Sequence, residues 1–413
     1  MNTIRNMRQK VVIIGHSFSS RLSIIRSVAQ IGCEVVVVVM TGLKRDMKTL
    51  NKKKPIDCYS KYVSSVHYCW RKDKEAFIRL LLEHCTDPNQ KVVLIPDSDD
   101  TVVAIDNNRE RLKEYFCFPH ILSHSMGDVQ YWMDKTHQKS LAKELGLNVT
   151  EGRIIDIENG CYSIPEDLKY PCFSKPLATM NGGKGGMRQC RNALELAEAL
   201  DFIIQYRCAT VKVLVEDYKE INEEYAVLGF SDGENVCIPG VLKFISESGK
   251  NKGIARQGMV MPIGDMQPLV DVFKQLVLKI GFVGVFDIDF YESDGVFYFC
   301  EINLRFGGSG YAITKMGVNL PAMMVKYMTA SDVSNMDKTI TGTAIYANER
   351  MCLDDWYNGY ISFKEYKETL STADIRFVPD ATDPIPEKKY EQEVRRLFLK
   401  WKIKKILKAL HLK

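Results

Sequence analysis

The sequence predicts an α/β domain built on an open parallel sheet, then an α+β region of antiparallel hairpins, then a basic helix at the C-terminus. Three observations carry this. Within residues 10–40 a buried run (VVIIG), a turn (HSFSS), a stretch of helical period (RLSIIRSVAQIG) and a second buried run (EVVVVVM) follow in strand–helix–strand order. Beyond residue 146 the rhythm changes to short apolar runs broken by glycines. Residues 394–413 hold eight Lys/Arg and no acid, again with helical spacing.

The elements follow in order. After the first two strands, KEAFIRLLLEHC reads as a helix and VVLIP (92–96) as a strand that ends in the acidic turn DSDD, with another helix after it. Residues up to about 120 therefore form one open α/β domain with a crevice beyond its strand ends. The stretch DKTHQKSLAKELG (134–146) is a helix that stops at Gly146, a favourable left-handed position. RIIDI and CFSKPL follow as strands, then the loop NGGKGGM. VKVLVEDY, EYAVLGFS and CIPGVLKFI are strands within 211–248. VGVFDIDFY and VFYFCEI pair across the turn signal Ser293-Asp294-Gly295.

At 413 residues the chain has room for two or three domains with a large core. The net charge of +4 suggests no nucleic-acid partner. Twelve cysteines are spread without any C-x-x-C pair, as in a reduced, cytoplasmic protein that packs thiols as small hydrophobes. No apolar run approaches the length of a signal peptide core or a membrane span.

Two constellations carry chemistry. In YPCFSKPLATMNGGKGGMRQCR (170–191), Lys175 precedes Gly182, Gly183, Gly185 and Gly186. Glycines let backbone N–H groups approach a polyphosphate, although a flexible hairpin has the same composition. The second is a hairpin with Asp287 and Asp289 on one strand and Glu301 and Asn303 on the other. Residues two apart on a strand share a face, so oxygen donors suited to Mg²⁺ gather in an apolar frame. Alternation of a core face with a wet face would look the same. Arg305 and the loop FGGSG follow at once.

Over residues 134–320 these features resemble the ATP-grasp superfamily. The resemblance implies an N-terminal pre-ATP-grasp domain (1–120), a linker helix and small lobe (121–215), a large lobe with the metal site (216–350) and an extension with a basic amphipathic helix (351–413). It implies ATP as cofactor, with Lys135 and Lys175 on its phosphates beside the glycine loop. The hinge Glu216, Asp217 and Tyr218 would hold adenine through the Glu216 carbonyl and the Tyr218 amide nitrogen, and Glu224 the ribose. Asp289, Glu301 and Asn303 would hold metal, two Mg²⁺ ions with Mn²⁺ as an alternative. Arg256 and Arg305 would grip a phosphoryl group or a substrate carboxylate.

Enzymes of this kind activate a carboxylate as an acyl phosphate, which an amine then attacks. GGKGGMR is similar to the biotin carboxylase loop, but the Q-V-E-H run of that branch is replaced by FGGSG. The overall plan resembles the D-aspartate ligases of cell-wall precursor synthesis, and departs from them at EINLRFGGSG. The expected function is thus a ligase joining a small-molecule carboxylate to an amine, in envelope precursor modification. A ligase of another pathway and a non-catalytic nucleotide-binding protein are the alternatives.

Asp97, Asp99 and Asp100 either attract an amine substrate or cap the following helix, and Ser17, Ser19 and Ser20 either cap a helix or meet a substrate anion. On the C-terminal helix, Leu399, Ile403, Ile406, Leu407 and Leu410 share one face, with Lys402, Lys404, Lys405, Lys408 and His411 away from it. Such a helix either lies on an anionic membrane, at its inner face, or docks on the protein. Without residues 394–413 the chain carries 48 basic and 52 acidic side chains, a net −4. A homodimer is left open.

Overall fold

A computed structural model describes residues 8–44, 54–176, 187–206, 210–250, 253–330 and 338–409. The first sheet holds β1 (Lys10–Gly15), β2 (Glu34–Thr41), β3 (Val63–Trp70), β4 (Val92–Pro96) and β5 (Phe116–Cys117), all parallel, in the order β3-β2-β1-β4-β5. β1, β2 and β4 are buried nearly throughout, as parallel strands covered on both faces must be. β3 (VSSVHYCW) lies at the sheet edge, partly exposed, and lacks the apolar run that marks its neighbours. The strand order reverses between β1 and β4, so the loops after these two strands part and open a crevice. Ser17 caps the helix Phe18–Ala29 by accepting from the Ser20 N–H, and Asp73 caps Lys74–His84 by accepting from Ala76.

β6 (His120–Ile121) already pairs with the large-lobe strand 282–293. The small lobe is an antiparallel sheet of β7 (Gly152–Ile157), β8 (Cys172–Pro176), β9 (Arg188–Cys190) and β10 (Val211–Asp217), ordered β7-β10-β8-β9. Leu196, Ala199, Leu200 and Ile203, at helical spacing, pack on its Val213 and Val215. The glycines 182, 183, 185 and 186 lie outside the described residues.

The large lobe contains β11 (Glu223–Ser231), β12 (Val236–Cys237), β13 (Val241–Glu247), β14 (Ala255–Met261), β15 (Phe282–Ser293), β16 (Val296–Asn303), β17 (Ala344–Ala347) and β18 (Ile375–Arg376). Its main path runs β16-β15-β11-β13-β14-β17-β18, with β12 on β11. The single strand expected through CIPGVLKFI is split into β12 and β13, because Pro239 cannot donate to a ladder and Gly240 passes close to the Met261 carbonyl. Asp294 and Gly295 take φ of 52° and 77°, the left-handed pair that a tight hairpin between β15 and β16 needs.

The C-terminal extension joins the rest of the molecule. Arg26, from the first helix, donates to the buried Asp383 carboxylate and to the carbonyls of Phe377 and Val378. Trp356 is packed by Phe363, Tyr366, Phe398 and Trp401. The final helix runs Pro384–Ala409 and docks through Val394, Leu397, Phe398 and Trp401, while Leu399, Ile403 and Ile406 stay 61%, 56% and 58% exposed. The apolar stripe read from the sequence is thus not the face that docks. The side chains of Leu407, Lys408, Leu410 and His411 lie outside the described residues.

Candidate active site

The site forms where the first sheet, the small lobe and the large lobe meet. β15 and β16 place Asp289 opposite Glu301 and Asp287 opposite Asn303. The Asn303 amide donates to Asp289 Oδ2 at 3.3 Å. β16 is an edge strand, and its outward N–H and C=O at Ile302 are both met by the Gln138 side chain, at 3.1 and 2.9 Å. This contact ties the helix Lys135–Glu144 to the acidic hairpin and sets Lys135 against Glu301 in an ion pair. Asp134 caps that helix by accepting from Thr136.

One turn on, Lys139 pairs with Glu216, which Lys175 grips on its other oxygen at 2.5 Å, while Thr150 donates to it at 2.9 Å. A central strand (β10), the neighbouring β8 and the linker helix thus each supply one member of a buried network. Burial and repulsion among the lysines pull Lys175 down to about 7 and Lys139 to about 8. The Glu216 carboxylate between them works in the opposite direction. Lys139, Thr150 and Gln138 escaped the sequence reading; the spacing of Lys139, four residues after Lys135, was the available signal.

The hinge needs correction. The Tyr218 N–H donates to the Pro171 carbonyl at 3.1 Å and that of Asp217 to Glu151 at 2.9 Å, so the Tyr218 amide is not a free donor for adenine. Glu216 stands in register with Phe173 on one side and Gly152 on the other, and it is its carboxylate that faces the site lysines. Glu224 lies on β11 in register with Tyr291.

Arg256 also departs from expectation. Its guanidinium is buried between Asp355 at 3.5 Å and Glu365 at 3.2 Å, both on the C-terminal extension. Asp355 additionally accepts from Ser248 and from the Gly249 and Lys250 N–H groups. Arg256 therefore fastens β14 to the helices Glu349–Asn358 and Phe363–Ser371 instead of presenting itself to a ligand.

Arg305 stays with the acidic hairpin. It donates to Asn303 Oδ1 at 3.2 Å and to Asp99 at 2.5 Å. The acidic turn is divided in its tasks: Asp97 accepts from the His16 and Ser17 N–H groups, Ser98 bonds Asp100, and Asp100 meets Lys74. Ser98 is the N-cap residue of Asp99–Asp106 but makes no side-chain cap bond. Burial pushes the Asp97 carboxyl up to about 6, against the pull of Arg21 and His16. Of the serines, Ser17 caps the first helix and Ser19 bonds Asn348.

The metal set can be judged by its donors. Asp289 and Glu301 offer carboxylates and Asn303 an amide oxygen, all hard donors of the kind Mg²⁺ takes. Glu301 and Asn303 are engaged with Lys135 and Arg305, partners that phosphates and a substrate anion would draw off. Among the described residues no three of His, Cys, Asp and Glu gather as a metal group.

Residues 140–319 match the ATP-grasp domain family. The chain is similar to the C-terminal section of the carbamoyl phosphate synthase large chain of Methanocaldococcus jannaschii, 23% identical over 244 residues. That match takes in 56% of this chain and 37% of the relative, so the chain spans well under half of that protein's length. Two solved structures share its fold: L-amino acid ligase from Bacillus licheniformis (TM-score 0.61, 16% identity, 82% of this chain and 80% of that one), and the biotin carboxylase domain of 2-oxoglutarate carboxylase from Hydrogenobacter thermophilus, solved with MgADP and bicarbonate (TM-score 0.62, 16% identity, 82% and 74%).

Proposed function

We propose that this chain is an ATP- and Mg²⁺-dependent carboxylate–amine ligase. The observation that carries the reading is the meeting of Lys135, Lys139 and Lys175 with Asp289, Glu301, Asn303 and Arg305 in one crevice. Lys135 and Lys175 bind ATP phosphates, and Lys139 adds a third cation to them. Asp289, Glu301 and Asn303 would hold Mg²⁺, which when bound would neutralise charge on the phosphates. Arg305 orients the carboxylate so that its oxygen attacks the γ-phosphorus and ADP leaves. The amine nitrogen then attacks the acyl carbon, phosphate leaves, and the nitrogen gives up a proton. Positioning of anions and electrostatic stabilisation suffice for this chemistry. A fold neighbour solved with MgADP and another that is an L-amino acid ligase support the class.

At finer grain the proposal extends to envelope precursors, with D-aspartate ligation as the specific case, and to two metal ions with Mn²⁺ as a substitute. It includes cytoplasmic action at the inner membrane face, through the exposed Leu399, Ile403 and Ile406 among the lysines of the final helix. No described helix is long and apolar enough to cross a membrane, so contact would be peripheral. The test is ADP release with ATP, Mg²⁺ and paired panels of carboxylates, including D- and L-amino acids, and amines. Release should require both partners and vanish in Glu301→Gln with the fold intact; release unchanged by that substitution refutes the assignment of the site.

A further inference from the structure

We propose that Asp99 and Arg305 together read a substrate bearing an ammonium beside the carboxylate to be activated, an amino acid in preference to a plain acid. This rests on the ligase reading and names the substrate class of that site. Arg305 touches Asn303 with one nitrogen and Asp99, from the other domain, with another at 2.5 Å. The two side chains are 21% and 16% accessible, whereas the buried pair Arg21–Asp57, which serves folding, is 2% and 0% accessible. The Arg305–Asp99 pair therefore faces the crevice, with its positive end at the acidic hairpin and its negative end one step farther away.

A ligand that replaces this contact without stranding a charge must bring its own charges in the complementary order, carboxylate to Arg305 and cation to Asp99. A plain acid takes Arg305 but leaves Asp99 unpaired. Asp287 and Asp289 also lie close enough to act on the Arg305 charge.

The test uses the full chain with ATP, Mg²⁺ and hydroxylamine. The carboxylate oxygen displaces ADP from the γ-phosphorus; the hydroxylamine nitrogen then displaces phosphate, loses a proton and leaves a hydroxamate. Acids are offered in matched pairs: alanine and propionate, aspartate and succinate, glutamate and glutarate, with both enantiomers of each amino acid. At least one amino acid should exceed its deaminated partner by about tenfold or more in kcat/KM. Asp99→Asn should remove most of that preference through the KM for the amino acid, with the KM for ATP unchanged, and Asp99→Glu should restore part of it. Equal use of both partners, or a preference that survives Asp99→Asn, overturns the proposal. Calorimetric binding of the same pairs, with a non-hydrolysable ATP analogue and Mg²⁺ present, separates the two claims. Ammonium-dependent binding lost in Asp99→Asn without any hydroxamate refutes the ligase reading and keeps this one; absence of ammonium-dependent binding refutes this one.

Discussion

Lys175 and Lys139 sit where burial disfavours their charge, and a nucleotide's phosphates would reverse that preference. Burial pulls both lysines down in the free protein, while their ion pairs with Glu216 favour the charge. Phosphates favour the charged form, so nucleotide binding takes up protons above pH 7 and its affinity falls from pH 7 to pH 9. Calorimetry of ATP binding across that range should show this weakening, and a flat profile would contradict it. Gly15 makes a second case at this scale, because a Cβ there would fall 1.5 Å from the Asp97 carboxylate. Gly15→Ala must displace Asp97 from the His16 and Ser17 N–H groups, with an expected loss of about 1–3 kcal/mol in denaturant unfolding.

Elements with a strong apolar pattern were legible in the sequence, and those defined by partners were not. β1, β2 and β4 announce themselves as continuous apolar runs, and the β15–β16 hairpin by its Asp-Gly turn. β3 did not, since at the sheet edge it is only partly buried and carries polar residues, and the split at Pro239 was hidden inside one apolar stretch. Lys135, Lys175, Asp289, Glu301 and Asn303 could be picked out by type and order, whereas the partners of Arg256 could not, because they lie about a hundred residues away, on Asp355 and Glu365. The final helix shows the same limit: helical period found it, but Trp356 decides which face docks. Trp356→Ala should cost about 3–5 kcal/mol in unfolding free energy. Leu399→Ala, on the exposed side, should stay within about 0.5 kcal/mol.

At the scale of the whole molecule, the three sheets are joined by side chains that cross between them. Gln138 fastens the linker helix to β16, Arg305 meets Asp99 of the first domain, and Arg26 holds Asp383 of the extension. Because Phe398 and Trp401 belong to this framework, cutting the chain before them would disturb folding as well as any membrane contact. Replacing Leu399, Ile403 and Ile406 by Ser isolates the second effect. Co-sedimentation with vesicles rich in phosphatidylglycerol should fall in this variant at unchanged melting temperature, and equal sedimentation would end the membrane reading. The central claim is that a carboxylate oxygen attacks ATP. It is tested most directly by supplying an active carboxylate substrate labelled with ¹⁸O and analysing the released phosphate by mass. Transfer of one labelled oxygen into each phosphate is the predicted result; phosphate free of label would contradict the acyl-phosphate route and the ligase assignment with it.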